Sequence, residues 1–317
     1  MASLRSTFPA LAAVLVAAGC AELKMAPVEE YPVTARRVIL ISIDGARADA
    51  LPHLPTVHAL TARGVWTDAM QTVLPALTLP AHLTMLSGRD VTQYGITQNV
   101  MDGGIAAVMR INGMSPMFAW AHSAGRRSAA IAGMSLIPAA QRAEAQAFFE
   151  VDTLVATDGD APALANAAIG LLRADTSVAI MFIHFPDADF AGHSYGWIDA
   201  NGAHTTAYRA ALARVDSAIA TLWREIESSV DAGHTALIVT ADHGGGHGSG
   251  CNTGELPTHT HCTAHPGDHL VPFVLIARDA APRRLGGEPS ITQVAATVGA
   301  LLGLAIPERA ARALDLP

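Results

Sequence analysis

The chain has 317 residues, 50% of them hydrophobic and 15% charged, enough apolar material for one enzyme-sized core and too little polarity for a disordered chain. A formal net charge of −8, without clustered Lys and Arg, argues against a nucleic-acid-binding surface. The first twenty residues read as an address. Arg5 precedes an apolar run from Pro9 to Gly19, short of the roughly 20 residues of a membrane span but suited to a signal-peptide core. A Pro-interrupted linker covers residues 21–35, and residues 36–317 read as one domain.

The stretch VAAGC at residues 16–20 resembles a bacterial lipoprotein box, with Ala17 where that pattern usually has Leu. The resemblance implies export to the periplasm or outer surface and a lipid on Cys20, with simple secretion as the alternative. Membrane association is expected only through that lipid.

Further along, buried strands are expected at Val38 to Ile43, Ser128 to Ile131, Phe148 to Val151, Val178 to Phe185, Ala236 to Thr240 and Pro272 to Ile276, with helices between them. Thr78, ahead of Leu79 and Pro80, is expected to cap a helix ending at Gly88. Leu212, Val215, Ile219, Leu222 and Ile226 recur at helical spacing and form a core-facing stripe. A last helix runs from about Ile291 to Leu302 and stops at Gly303. Strands alternating with helices predict an α/β fold, a mainly parallel central sheet covered on both faces. In an exported chain, Cys251 and Cys262, in one Gly/Thr/His-rich loop, are expected to form a disulfide.

The chemistry sits just past the strands. Asp44, Asp189 with His193, Asp242 with His243, and His265 occupy loops or turns near apolar runs, and open α/β sheets collect ligands at the carboxyl ends of their strands. Held together without a counter-ion, such groups repel one another and shift each other's protonation. Metal ions remove that cost. Mixed Asp and His ligation points to two divalent cations, zinc first, with manganese and iron less specific. Asp189 and His193, four residues apart, share a face of a helical turn. Gly244, Gly245 and Gly246 supply the turn after the adjacent Asp242 and His243.

Taken in order, the Asp after the first strand, TVLPALTLPAHLTMLSG, YGITQN, PDADFAGHSYGW, TADHGG and HPGDHLVPF resemble the alkaline phosphatase superfamily, and within it the nucleotide pyrophosphatase/phosphodiesterase branch, over roughly Val38 to Leu304. The resemblance implies an alkaline phosphatase-like fold and a metal-dependent phosphoric ester hydrolase acting on a small-molecule phosphoester. It assigns Asp44, Thr78, Asp242 and His243 to one metal and Asp189, His193 and His265 to the other. Thr78 becomes the nucleophile that forms a phosphothreonine, and Asn99 an amide donor to a phosphoryl oxygen. A neutral Asn donor favours diesters over dianionic monoesters, unless Arg47 or Arg89 reaches the site.

The third ligand of the second set stays open between His265 and His269, with His247, His259 and His261 nearby. Asp187 is the runner-up to Asp189. His82 is expected to be structural, and His184 to support a ligand from behind. The alternative activities are a phosphomonoesterase or an enzyme resembling phosphonoacetate hydrolase. An exported zinc-binding protein without catalysis is the alternative of another class.

Overall fold

The computed structural model describes residues 24–26, 31–32, 34–99, 114–133, 142–251 and 253–316. The expected address, Cys20 and part of the linker lie outside the described residues. Eight described strands form one sheet: β1 (Arg37–Ile43), β2 (Val65–Gln71), β3 (Arg127–Gly133), β4 (Thr153–Thr157), β5 (Val178–Phe185), β6 (Thr235–Thr240), β7 (Leu270–Ile276) and β8 (Arg283–Arg284). Their spatial order is β4-β3-β5-β1-β6-β7-β2-β8. The five from β4 to β6 are parallel, while β7 runs antiparallel to both β6 and β2. The sheet is therefore mainly parallel, as expected for an alkaline phosphatase-like α/β fold.

The helices are α1 (Pro55–Leu60), α2 (Thr78–Ser87), α3 (Val91–Tyr94), α4 (Met117–Ser123), α5 (Arg142–Phe149), α6 (Ala161–Ala174), α7 (Asp187–Tyr195), α8 (Thr206–Ser228), α9 (Pro266–His269) and α10 (Thr292–Leu301). Every position of β1 and β5 is buried. Successive side chains of a strand point to opposite faces, so both faces of the sheet centre are covered. Val38, Ile39, Leu40, Ile41 and Ile43 are fully buried, each contributing about 1.5–3 kcal/mol relative to exposure. Helix α8 packs on α1, α6 and α7, whereas α10 packs on α2 and α4.

The apolar stripe of α8 is buried as its spacing predicts, and Asp216 lies buried beside it. Its carboxylate accepts from the Thr56 and Val57 N–H groups at 2.9 and 3.1 Å. It thus caps α1, whose preceding residue Leu54 has no capping side chain.

Two local expectations are corrected. The segment expected as a strand at Phe148 to Val151 is the end of α5 and the turn after it, and the strand is β4. The sequence RAEAQAFF is rich in helix formers. The half-buried TLVAT of β4 lies at the sheet edge and lacks a continuous apolar run. Thr78 is the first residue of α2, not its side-chain cap, and Leu77 precedes it in extended conformation. Asn99 Oδ1 instead accepts the Leu79 N–H at 2.9 Å, and α2 ends at Gly88 in the left-handed region.

Candidate metal centre

Three neighbouring strands, β5, β1 and β6, set the floor of the site. Ser42 of β1 lies opposite both His184 of β5 and Thr240 of β6, so the strands end level and the segments leaving them face one cleft. Asp44 comes directly after β1, Asp242 and His243 come after β6, and α7 carries Asp189 and His193 one turn apart just past β5. Sequence distance between the groups thereby disappears.

In the first group, ligand atoms of Asp44, Asp242 and His243 lie within 4.8 Å of one another. His243 Nδ1 donates to the Gly244 carbonyl at 2.7 Å, which leaves the Nε2 lone pair facing inward. Nε2 lies 3.0 Å from Thr78 Oγ1, 3.2 Å from Asp242 Oδ2 and 3.4 Å from Asp44 Oδ1. The second oxygen of each carboxylate is fixed from behind. Asp242 Oδ1 accepts the Gly45 N–H at 3.2 Å. Asp44 Oδ2 lies 2.8 Å from His184 Nε2, and His184 Nδ1 accepts the Gly133 N–H at 3.3 Å. That bond places the imidazole proton on Nε2, so His184 donates to Asp44.

The second group contains Asp189, His193 and His261. His261 Nδ1 donates to the Ala76 carbonyl at 2.6 Å, and its Nε2 lies 3.2 Å from His193 Nε2 and 3.8 Å from Asp189 Oδ1. Its ring stacks on His243, with centroids 3.7 Å apart, so the two groups adjoin. Among the described residues, Asp44 Oδ1, Asp189 Oδ1 and Asp242 Oδ2 are all buried without a hydrogen-bond partner. Three orphaned carboxylate oxygens beside inward-facing imidazole nitrogens fit two divalent cations and fit no purely structural network.

The electrostatics agree. Burial, reinforced by Asp242 and Asp189, holds the Asp44 carboxyl well above the usual carboxylate range. Burial also pushes Asp189 up to about 7, against the nearby His193 and with help from Asp242 and Glu255. Burial and neighbouring imidazoles lower His243 to about 3 and push His261 well below its ordinary value. The His243 and His261 imidazoles are therefore poised to ligate as neutral groups, whereas Asp44 and Asp189 hold their protons more tightly than free carboxylic acids do, and a cation would displace them.

His265 is corrected. It is exposed, stacks on His247 with centroids 3.5 Å apart, and accepts the Gly267 N–H at the start of α9. His269 also stands outside both groups. Asp268, between them, is a loop organiser that accepts from His247 N, Cys262 N, Thr263 N and the Thr263 hydroxyl. The second group takes His261 instead, anchored by the Ala76 carbonyl and by the Cys251–Cys262 disulfide next to it. The sequence signal nearest to it is the position of His261 directly before Cys262 in THTHC, where a disulfide would fix the backbone.

The other candidates are accounted for. Asp187 accepts the Ala161 N–H and meets Arg214, and His259 Nδ1 donates to the His193 carbonyl. His82 Nδ1 donates to the Thr78 carbonyl at 2.8 Å and its Nε2 accepts from Ser42 Oγ at 3.0 Å, the structural role expected. Arg47 is buried and committed to Asp49 and the Gly245 carbonyl.

Sequence reasoning misses Trp197. It is fully buried, donates from Nε1 to the Gly45 carbonyl at 2.8 Å, and sets its ring edge-on to His193 and His261. A Cβ on Gly192 or Gly245 would lie 2.2 or 2.4 Å from its ring. Only glycine lets α7 and the loop after β6 approach it so closely.

A family model for type I phosphodiesterase / nucleotide pyrophosphatase matches residues 38–261. No curated protein sequence matches the chain. Among solved structures, murine ectonucleotide pyrophosphatase / phosphodiesterase 5, inactive and in complex with AMP, superposes with a TM-score of 0.65 at 16% identity, over 87% of this chain and 97% of that one. The phosphonate monoester hydrolase of Agrobacterium radiobacter gives a TM-score of 0.60 at 15% identity, over 85% and 74%. The lipoteichoic acid synthase LtaP from Listeria monocytogenes gives 0.61 at 13%, over 86% and 72%. These likenesses show the fold. Together with the family match, they mark the chain as an alkaline phosphatase superfamily hydrolase of phosphoric esters that belongs to the type I phosphodiesterase / nucleotide pyrophosphatase family.

Proposed function

We propose that the protein is a two-metal phosphodiesterase or nucleotide pyrophosphatase acting through a phosphothreonine on Thr78. The observation that carries this reading is the position of Thr78 Oγ1, 3.0 Å from His243 Nε2 at the edge of two adjoining three-ligand groups. Asp44, Thr78, Asp242 and His243 would hold one ion and Asp189, His193 and His261 the other, with zinc favoured by the mixed carboxylate and imidazole donors. When bound, such ions supply Lewis acidity that eases deprotonation of a facing hydroxyl and offsets charge on phosphoryl and leaving oxygens.

The residues of the chain do the rest. Thr78 sits at the N-terminus of α2, where the helix dipole favours negative charge on its oxygen. Its hydroxyl gives up its proton to solvent, Oγ1 attacks phosphorus, the P–O bond to the first alcohol breaks, and that alcohol leaves with a proton from solvent. Water then cleaves the Thr78–phosphorus bond, returning the hydroxyl and releasing the phosphate monoester. Asn99, held through Oδ1 by the Leu79 N–H, keeps its NH₂ to donate to a phosphoryl oxygen. That neutral donor, with Arg47 committed elsewhere, supports diesters as substrates. The disulfide supports export to an oxidising compartment. Among the described residues no helix is long and apolar enough to cross a membrane, and we place the proposed anchor on Cys20.

Three outcomes test the reading. Thr78→Ala is expected to retain two equivalents of metal, measured by plasma emission, while kcat on bis-para-nitrophenyl phosphate falls at least about a thousandfold. Retained turnover would remove Thr78 as nucleophile. His261→Ala is expected to lower the bound metal to about one equivalent while His265→Ala keeps about two, three protein ligands being what such a site needs. The reverse pattern would restore His265 as the ligand. Because Asp189 holds its proton up to about 7, metal binding displaces that proton at lower pH, and affinity at its site is expected to drop about tenfold per pH unit below that value. Calorimetric titrations giving pH-independent affinity would contradict this.

A further inference from the structure

Helix α2 begins with Thr78 beside the metal centre and runs ten residues to Ser87, a length of about 15 Å. At its far end the Gly88 carbonyl accepts the Ala311 N–H at 2.7 Å. The residues that lead into β1 lie at this end too, the Ala35 N–H donating to the Leu301 carbonyl at 2.7 Å and the Arg36 N–H to the His234 carbonyl at 2.8 Å. The segment from Leu301 to Arg312 therefore lies at the amino ends of the strands, whereas the metal centre lies past their carboxyl ends. The seven residues of β1 alone put about 23 Å between the two.

The amino-terminal segment enters the domain at the end away from the centre. Met25 forms a bridge with Pro307, the Ala26 N–H donates to the Ile306 carbonyl at 2.8 Å, and the Glu308 N–H donates to the Lys24 carbonyl at 3.0 Å. Cys20 stands four residues before Lys24, so covalent geometry keeps a lipid attached there within about 14 Å of Lys24. A tether that short cannot reach round to the cleft. In these same segments Lys24, Arg36, Arg309 and Arg312 are exposed, against Glu308 and Asp315. On a chain with a net charge of −8, a local excess of cations beside the tether suits the anionic headgroups of a bilayer.

We propose that the domain stands on its anchoring bilayer by this end, with Lys24, Arg309 and Arg312 against anionic headgroups and the metal centre turned to the solution. This rests on Cys20 as the anchor. It gives the phosphodiesterase reading a substrate class: esters that diffuse in solution reach the cleft unobstructed, and the headgroups of the bilayer that holds the chain stay out of its reach.

The test uses the metal-loaded, lipidated full chain on vesicles of phosphatidylethanolamine and phosphatidylglycerol that carry a headgroup-linked nitroxide quencher. A dye is attached through Val230→Cys, at the end between α8 and β6, or through Leu256→Cys, in the loop that carries His259 to His193; the native residues are 99% and 65% exposed. Cys251 and Cys262 are tied to each other and do not compete for the dye. The dye at 230 is expected to lose most of its emission and the dye at 256 to keep it, with the length of a strand, about 23 Å, between the two ends. Arg309→Glu combined with Arg312→Glu is expected to restore part of the emission at 230, because like charge lifts that end from an anionic surface. Bis-para-nitrophenyl phosphate is expected to be hydrolysed with a kcat/KM within about twofold of that of the same chain in mild detergent, and the vesicle's own phospholipid to stay intact. Quenching at 256 instead of 230, or consumption of the vesicle's phospholipid, overturns the orientation while leaving the anchor in place. Emission unmoved by the double substitution overturns the charge contact. A chain that does not float with vesicles, as Cys20→Ala is expected not to, removes the anchor and this proposal with it. Quenching at 230 without turnover of any ester upholds the orientation and sinks the phosphodiesterase reading alone.

Discussion

Three carboxylate oxygens, of Asp44, Asp189 and Asp242, are buried with nothing to accept from, and this constraint governs the rest of the molecule. Orphaned acidic oxygens in a dry site are costly, the more so when they face one another. The fold fixes the second oxygen of Asp44 by His184 and that of Asp242 by the Gly45 N–H. Each carboxylate is thereby held in one orientation with one oxygen free. His243 and His261 are treated the same way, their Nδ1 protons spent on backbone carbonyls so that Nε2 faces inward. Such pre-orientation is what ligand sets require, and it explains why so much polar surface is buried at the end of the sheet.

Holding two such sets side by side is a packing problem that Trp197 solves. Its ring lies against Gly192 of α7 and Gly245 after β6, it meets the His193 and His261 rings edge-on, and its N–H is tied to the carbonyl just after Asp44. One buried side chain therefore touches the segments that bring the acidic and imidazole groups after β1, β5 and β6, and His261 besides. Interiors packed at this density transmit small displacements, so the relative position of the two groups is set by the fit around this indole.

The features legible in the sequence have a local physical cause. The β1, β5 and β6 runs are mostly apolar because both faces are buried, and the acidic residues just beyond them stand out. The spacing of Asp189 and His193 requires a helical turn, and α7 provides it. β4 escapes a reading of periodicity because an edge strand of Thr, Leu, Val and Ala has neither alternation nor a long apolar run. Thr78 has the residue type of a cap, whereas Asn99 does that work through a contact no local rule contains. The choice of His261 over His265 depends on the carbonyl of Ala76, distant along the chain. In a loop crowded with histidines and glycines, no periodicity ranks the candidates.

The central claim is that folding gathers these acidic and imidazole groups into two adjoining cation sites with Thr78 at their edge. Anomalous diffraction at the zinc edge, from crystals of the full chain grown with zinc, tests it most directly. The account predicts two peaks, one among Asp44, Asp242 and His243 beside Thr78 and one among Asp189, His193 and His261. A single peak, or a peak seated on the stacked His247 and His265 rings with either group left empty, would contradict it.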